Sequence, residues 1–255
     1  MKMKRLAVLF VIGILFGCPN NAKTVARGDV VDSLKMPVPS NRQYVEIRHQ
    51  GDLTCYFPDF SRIDLVTGTM PAQTEADVIF VCAGAFTGKL LGKFVHINIA
   101  GHHVSDGTFY EGYDCGPNNG VFTWSRRSGW QFFNYSHGNS VGPLKTVARE
   151  NGMGYCQSLL LFEGKEFAGC FKNEAVNQYR ALCELDGRLC IIDSSQRMTF
   201  KSFKAGLKEI GVKYAIYCDM GTGWNYSWYR LPDGSVVEIF PTKGQYTTNW
   251  ITFYK

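Results

Sequence analysis

The dipeptide Asp186-Gly187 is the strongest single constraint on this chain. A two-residue turn of this kind fixes which residues of the flanking strands face one another. Pairing outward sets Leu185 against Arg188, Glu184 against Leu189 and Cys183 against Cys190. The flanking residues are mostly apolar, so the hairpin is expected in a sheet. A helix follows. Phe200, Phe203, Leu207 and Ile210 are spaced three, four and three apart, which makes one apolar stripe. Thr199 can cap its start and Gly211 can end it, with Lys201, Lys204 and Lys208 expected to face away. Residues 212–218 then read as a strand that ends at Asp219, followed by Met220-Gly221-Thr222-Gly223.

Further strands are expected at residues 44–48, 94–99 and 158–162. A buried strand within 77–86 enters a tight loop at Ala83-Gly84-Ala85. Residues 101–140 are rich in Gly, Asn, Ser and aromatics, with short strand-like pieces such as Val121-Phe122-Thr123-Trp124. They read as loops laid over a sheet. The expected fold class is α/β in the broad sense (α+β): a mixed sheet with few helices, forming one domain over residues 42–255.

The N-terminus reads differently. Lys2, Lys4 and Arg5 precede an apolar run over residues 6–16, too short for a bilayer anchor but suited to a signal-peptide core. The run closes at Gly17-Cys18, which resembles the lipobox of bacterial lipoproteins, although Phe16 is large for that motif. On this reading residues 1–17 are removed and Cys18 carries a lipid. Cleavage further on, for example after Ala26, is the alternative. Residues 18–41, with Pro19, Pro37 and Pro39, form a tether. The protein is then expected in the cell envelope or periplasm, touching the membrane only through its lipid, and no later segment reads as a membrane span.

Loss of residues 1–17 leaves 24 basic against 22 acidic residues. That balance, without a Lys/Arg stripe, argues against a nucleic-acid partner. Nine cysteines permit disulfides in an exported chain, but no C-x-x-C pair is present. Cys82, Cys190 and Cys218 sit in apolar runs and read as small buried hydrophobes. Cys183 and Cys190 either bridge or pack as two thiols. His102-His103 lacks H-E-x-x-H spacing, and neither a G-x-S-x-G elbow nor a P-loop occurs. No metal site or cofactor is expected; assistance by a divalent ion stays open.

A carboxylate where a strand gives way to a glycine-containing loop suits chemistry, because the strand fixes the side chain and glycines admit a ligand. An Asp capping the next turn is the plain alternative. Four segments decide how Asp219 is read. They are Cys82-Ala83-Gly84-Ala85-Phe86, Asn119-Gly120-Val121-Phe122, Gln157-Ser158 before a strand and Glu163-Gly164, and the block running from Arg180 through Asp186-Gly187 and the helix to Asp219-Met220-Gly221. In order and spacing they resemble the phosphodiester glycosidase family over residues 78 to 230. Cys82 stands where that family usually has Asn, and Met220 where it has Gly.

The resemblance implies hydrolysis of the glycosidic bond of a sugar-1-phosphodiester. It makes Asp219 the nucleophile or the base for water, and Arg180 the two-point holder of the phosphate. Gln157, Ser158 and Asn119 would bind hydroxyls or phosphate, with Gly84 and Gly221 in the pocket floor. Glu111 is a possible second carboxylate, placed only by its position among the loops. A carbohydrate or envelope-polymer binder on the same fold, without turnover, is the alternative function.

Overall fold

The hairpin forms in the expected register. In the computed structural model, Arg180–Leu185 (β12) and Arg188–Ser194 (β13) pair with Cys183 opposite Cys190 and Leu185 opposite Arg188. The turn residues Asp186 and Gly187 both take positive φ. The structure describes residues 42–87, 97–113, 119–135, 141–221, 223–240 and 246–255. Cys18, the signal segment and the whole tether lie outside the described residues.

In chain order the first strands are β1 (Val45–Gln50), β2 (Leu53–Pro58), β3 (Arg62–Thr67), β4 (Val78–Ala83), β5 (His103–Ser105), β6 (Thr108–Tyr110), β7 (Asn119–Ser125) and β8 (Gly129–Asn134). Helix α1 (Val141–Arg149) leads into the long β9 (Met153–Phe162) and short β10 (Lys165–Glu166). After β11 (Val176–Asn177) and the hairpin come β14 (Met198–Thr199), α2 (Phe200–Glu209), β15 (Tyr214–Cys218), β16 (Trp228–Arg230), β17 (Val236–Glu238) and β18 (Asn249–Tyr254).

The larger sheet runs β1-β2-β13-β12-β15-β9-β5-β6, with β7, β8 and β10 joined through β9. A second sheet runs β17-β16-β4-β18-β3. Apart from the short β11-β14 pair, the expected mixed sheet becomes two sheets in which every pairing between the described strands is antiparallel. They face each other. Tyr56, Leu182, Ile191 and Ile216 of the larger sheet share one core with Ile63, Phe80, Ile251 and Phe253 of the smaller. On the far face of the larger sheet, Phe200, Phe203 and Leu207 of α2 pack against Cys55, Ala181, Cys183 and Ile192. The period-2 alternation of each strand thus serves two cores at once. Residues 39–255 form one compact unit.

Thr199 caps α2 by accepting from the Ser202 amide, and Gly211 follows its end at φ +93. One expectation about this helix fails. Lys204 is buried, and its Nζ donates to the Phe167 and Ala168 carbonyls (2.9 and 3.2 Å) and meets Glu166 at 2.8 Å. It reaches over the apolar edge to the 166–168 segment, a contact that helical periodicity does not register.

Two other readings change. Within the stretch read as loops, His103–Ser105, Thr108–Tyr110, Asn119–Ser125 and Gly129–Asn134 are strands of the larger sheet, and β7 aligns with β9 from Asn119–Ser158 to Trp124–Met153. The strand expected at 94–99 is not continued at its described end. Ile97 and Asn98 take positive φ, and Ile99 makes only an isolated bridge to Thr87.

Candidate functional site

Strand β9 changes partners along its length. Its first residues pair β5 and β7, and its last pair β15 and β10. Gln157 and Ser158 fall at the changeover. There β7 begins: Asn119 stands opposite Ser158 and Gly120 opposite Gln157. A Cβ on Gly120 would lie 3.2 Å from Ile216 of β15, so the start of one strand abuts the other. A break of this kind exposes backbone and side chains that an unbroken ladder would occupy.

Asp219 leaves the end of β15 at this point. Its amide donates to the Gly84 carbonyl at 2.8 Å, joining the two loops expected to meet. Its Oδ2 accepts from the Thr87 amide (3.0 Å) and hydroxyl (3.2 Å). The carboxylate is nearly closed off from solvent, and burial pushes it up to about 7 despite the bonds from Thr87 and from the Met220 backbone, which pull it down. No cation among the described residues pairs with it. Asp219 can therefore exchange a proton near neutral pH.

The surrounding loop is tied down on several sides. Asn249 accepts from the Ala85 amide (2.7 Å) and donates to the Ala85 carbonyl (2.9 Å). A Cβ on Gly84 would meet Asn249 Oδ1 at 2.9 Å, so this position admits only glycine without a shift. Trp224 Nε1 donates to Thr87 Oγ1 at 2.6 Å, and its ring packs on Tyr246. Gly221 accepts from the amides of Trp224 and Asn225, closing the turn after Asp219. Nothing in the sequence patterns had singled out Thr87, Asn249 or Asn225. Their roles depend on strands far apart in the chain.

Arg180 stands opposite Cys218 on β12, one residue from Asp219. It differs from the expected open phosphate clamp. Alternation on β12 turns it, with Leu182, toward the space between the sheets, and the hairpin sets Asp193 directly across. The guanidinium is fully buried, with Nε and Nη2 each 2.6 Å from an Asp193 oxygen and Nη2 also 2.8 Å from Ser227 Oγ. Burial alone would weaken its hold on the proton; the Asp193 carboxylate outweighs that and raises it. The two-point grip is already taken by Asp193, and only Nη1 lacks a protein partner.

Gln157 is buried. Its Oε1 accepts from the Ser158 amide (2.9 Å), and its Nε2 has no protein partner. Ser158 is also buried. Cys170 is exposed as a residue, yet the sulfur is packed inward, and burial pushes the thiol up to about 11. Glu111 is exposed next to Gly112, whose amide donates to His102 Nδ1, and it does not join the Asp219 group. Cys82 is fully buried in the core between the sheets, where its thiol is held well above the usual range by burial. Met220 packs into the core under α2. No group of three or more His, Cys, Asp or Glu suited to a metal ion occurs among the described residues.

Two antiparallel sheets face to face, with α2 on one outer face and a buried carboxylate at a strand end, make a sheet-rich fold. The solved structure of the zebrafish N-acetylglucosamine-1-phosphodiester alpha-N-acetylglucosaminidase catalytic domain, auto-inhibited by its pro-peptide, matches with TM-score 0.53 at 15% identity, over 84% of this chain and 82% of that one. A hypothetical protein from Synechocystis matches with TM-score 0.46 at 13% identity, over 84% of this chain and 61% of that one. No protein-family model matches, and no curated protein matches in sequence.

Proposed function

We propose that this chain is an exported hydrolase that splits the glycosidic bond of a sugar-1-phosphodiester. The observation that carries the reading is Asp219, a buried carboxylate pushed up to about 7 at the strand changeover. The likeness of fold to the zebrafish catalytic domain supports it. In the proposed step a water oxygen attacks the anomeric carbon and its proton passes to Asp219. The bond from that carbon to the phosphate oxygen breaks, and its electron pair leaves with the phosphate monoester. Phosphate is a good leaving group, so one proton-accepting carboxylate suffices where an ordinary glycoside needs two. Arg180 contributes through Nη1 alone, and Gln157 and Ser158 border the ligand. No cofactor is invoked.

The test is hydrolysis of the methyl diester of N-acetylglucosamine 1-phosphate and of related sugar diesters. Turnover that falls by several orders of magnitude in Asp219→Asn, with binding retained, supports the reading. Near-normal turnover in that variant refutes it. Saccharide binding by the wild type with no turnover of any diester would favour the binder, which the Cys and Met at positions 82 and 220 keep in view. Export is part of the proposal: mass spectrometry of the mature protein should find a lipid-modified Cys18 at the N-terminus. An unmodified start beyond Cys18 would remove the lipid anchor and leave export by ordinary cleavage.

A further inference from the structure

Thr87 is fully buried beside Asp219, and its hydroxyl meets three groups. Trp224 Nε1 donates to Oγ1 at 2.6 Å. Oγ1 in turn has two acceptors in reach, Asp219 Oδ2 at 3.2 Å and the Tyr246 carbonyl at 3.3 Å. A hydroxyl carries one proton and two lone pairs, and an indole N–H can only donate. Trp224 therefore occupies one lone pair whatever the state of its neighbours. The single hydroxyl proton goes to Asp219 or to Tyr246, over nearly equal distances. Charge decides between them. An ionised carboxylate is the stronger acceptor, and a protonated one loses that advantage to the carbonyl. The three groups are held by other contacts. The Thr87 amide also donates to Oδ2 (3.0 Å), Thr87 bridges Ile99, the Tyr246 amide donates to the Gly223 carbonyl (3.2 Å), and the Trp224 and Tyr246 rings pack together.

We propose that Thr87 and Trp224 are positioning residues for Asp219: the indole pins the Thr87 oxygen, and the hydroxyl proton turns to the carboxylate when it is ionised and to the Tyr246 carbonyl when it has taken up a proton. A protonated Oδ2 can donate into the remaining lone pair of Oγ1, so the carboxyl stays paired in both states. This deepens the reading of Asp219 as the base for water, and rests on that reading only for its effect on turnover. Donation from Trp224 also polarises the hydroxyl and makes it a better donor to the carboxylate. The relay thus works against burial and keeps Asp219 able to ionise near neutral pH. The titratable groups around the carboxylate are Tyr217 on its own strand, Cys170, and Tyr246; burial keeps Tyr217 and Cys170 neutral there. Arg180, across from the residue before Asp219, is closed in its pair with Asp193.

The experiment follows the titration of the Asp219 carboxyl carbon by NMR in the full chain. Thr87→Val should make Asp219 about tenfold weaker as an acid, and Thr87→Ser should keep it within about twofold of the wild type. Trp224→Phe keeps a ring beside Tyr246 but removes the N–H. It should weaken the acid about threefold to tenfold, and should add nothing in the Thr87→Val background. An equal effect of Trp224→Phe with and without the hydroxyl overturns the relay, as does an unmoved titration in Thr87→Val. Where Thr87→Val does not fold, the wild type still decides. The Trp224 indole N–H signal should shift with the midpoint of Asp219, and a signal that is flat across that midpoint overturns the relay. On a hydrolysed diester, Trp224→Phe should displace the kcat/KM profile toward higher pH. A profile lowered by one factor at every pH is structural damage alone and removes Trp224 from the relay. A coupled titration in a protein that hydrolyses no diester leaves the relay standing and refutes the proposed function instead.

Discussion

Replacing Asp219 by Asn should stabilise the protein at alkaline pH while silencing it. The side chain rises from an ordinary 3.8 to about 7 on folding, because burial disfavours its charged form. The folded state therefore binds more protons than the unfolded state between those two values, and stability falls as pH rises across that window. At 1.36 kcal/mol per pH unit the loss reaches about 4 kcal/mol by pH 8 and vanishes below pH 4. The Asn variant carries no such charge. Its stability relative to wild type should rise by a few kcal/mol between pH 4 and 8, read from urea unfolding at each pH. The activity of the wild type should run the other way. A carboxylate acting as base works when ionised, so kcat/KM should climb with pH through about 7. A stability difference that is flat between pH 4 and 8 would refute the reasoning, since it would mean that the carboxylate is not desolvated in the folded protein.

The buried ion pair gives a second test. Arg180→Met or Asp193→Leu alone should cost about 3–5 kcal/mol in urea unfolding by leaving one charge unpaired, and the double variant should recover most of that loss. Losses that simply add in the double variant would contradict the pairing. Asn249→Ala strips both Ala85 partners and should cost about 2–3 kcal/mol while lowering turnover, because Gly84 to Thr87 position Asp219. Unchanged turnover would detach that loop from the site. Lys204→Ala should free the 166–168 segment, seen as faster alkylation of Cys170 by mass spectrometry; an unaltered rate would show that the segment is held by other contacts.

The turn at Asp186-Gly187, the Cys183–Cys190 register, the capped helix α2 and the strand ending at Asp219 were all legible in the chain. Each follows from rules that act over a few residues: positive φ at a two-residue turn, a three-four spacing, a side-chain cap. The ends of those elements therefore carried the loop of the candidate site as well. What lay beyond reach was set by partners distant in sequence. Arg180 read as a phosphate clamp, but the register that the hairpin itself imposes puts Asp193 across from it, and the second sheet closes over both. Lys204 read as a solvent-facing lysine until the 166–168 segment folded back to meet it. The strands β5 to β8 were not legible as part of the sheet because β5 and β7 join it by pairing with β9, a partner that follows them in the chain. The changeover on β9 has no local signal at all. It exists only because β5, β7, β10 and β15 meet β9 along different parts of its length, and no local rule specifies that meeting of distant chain segments.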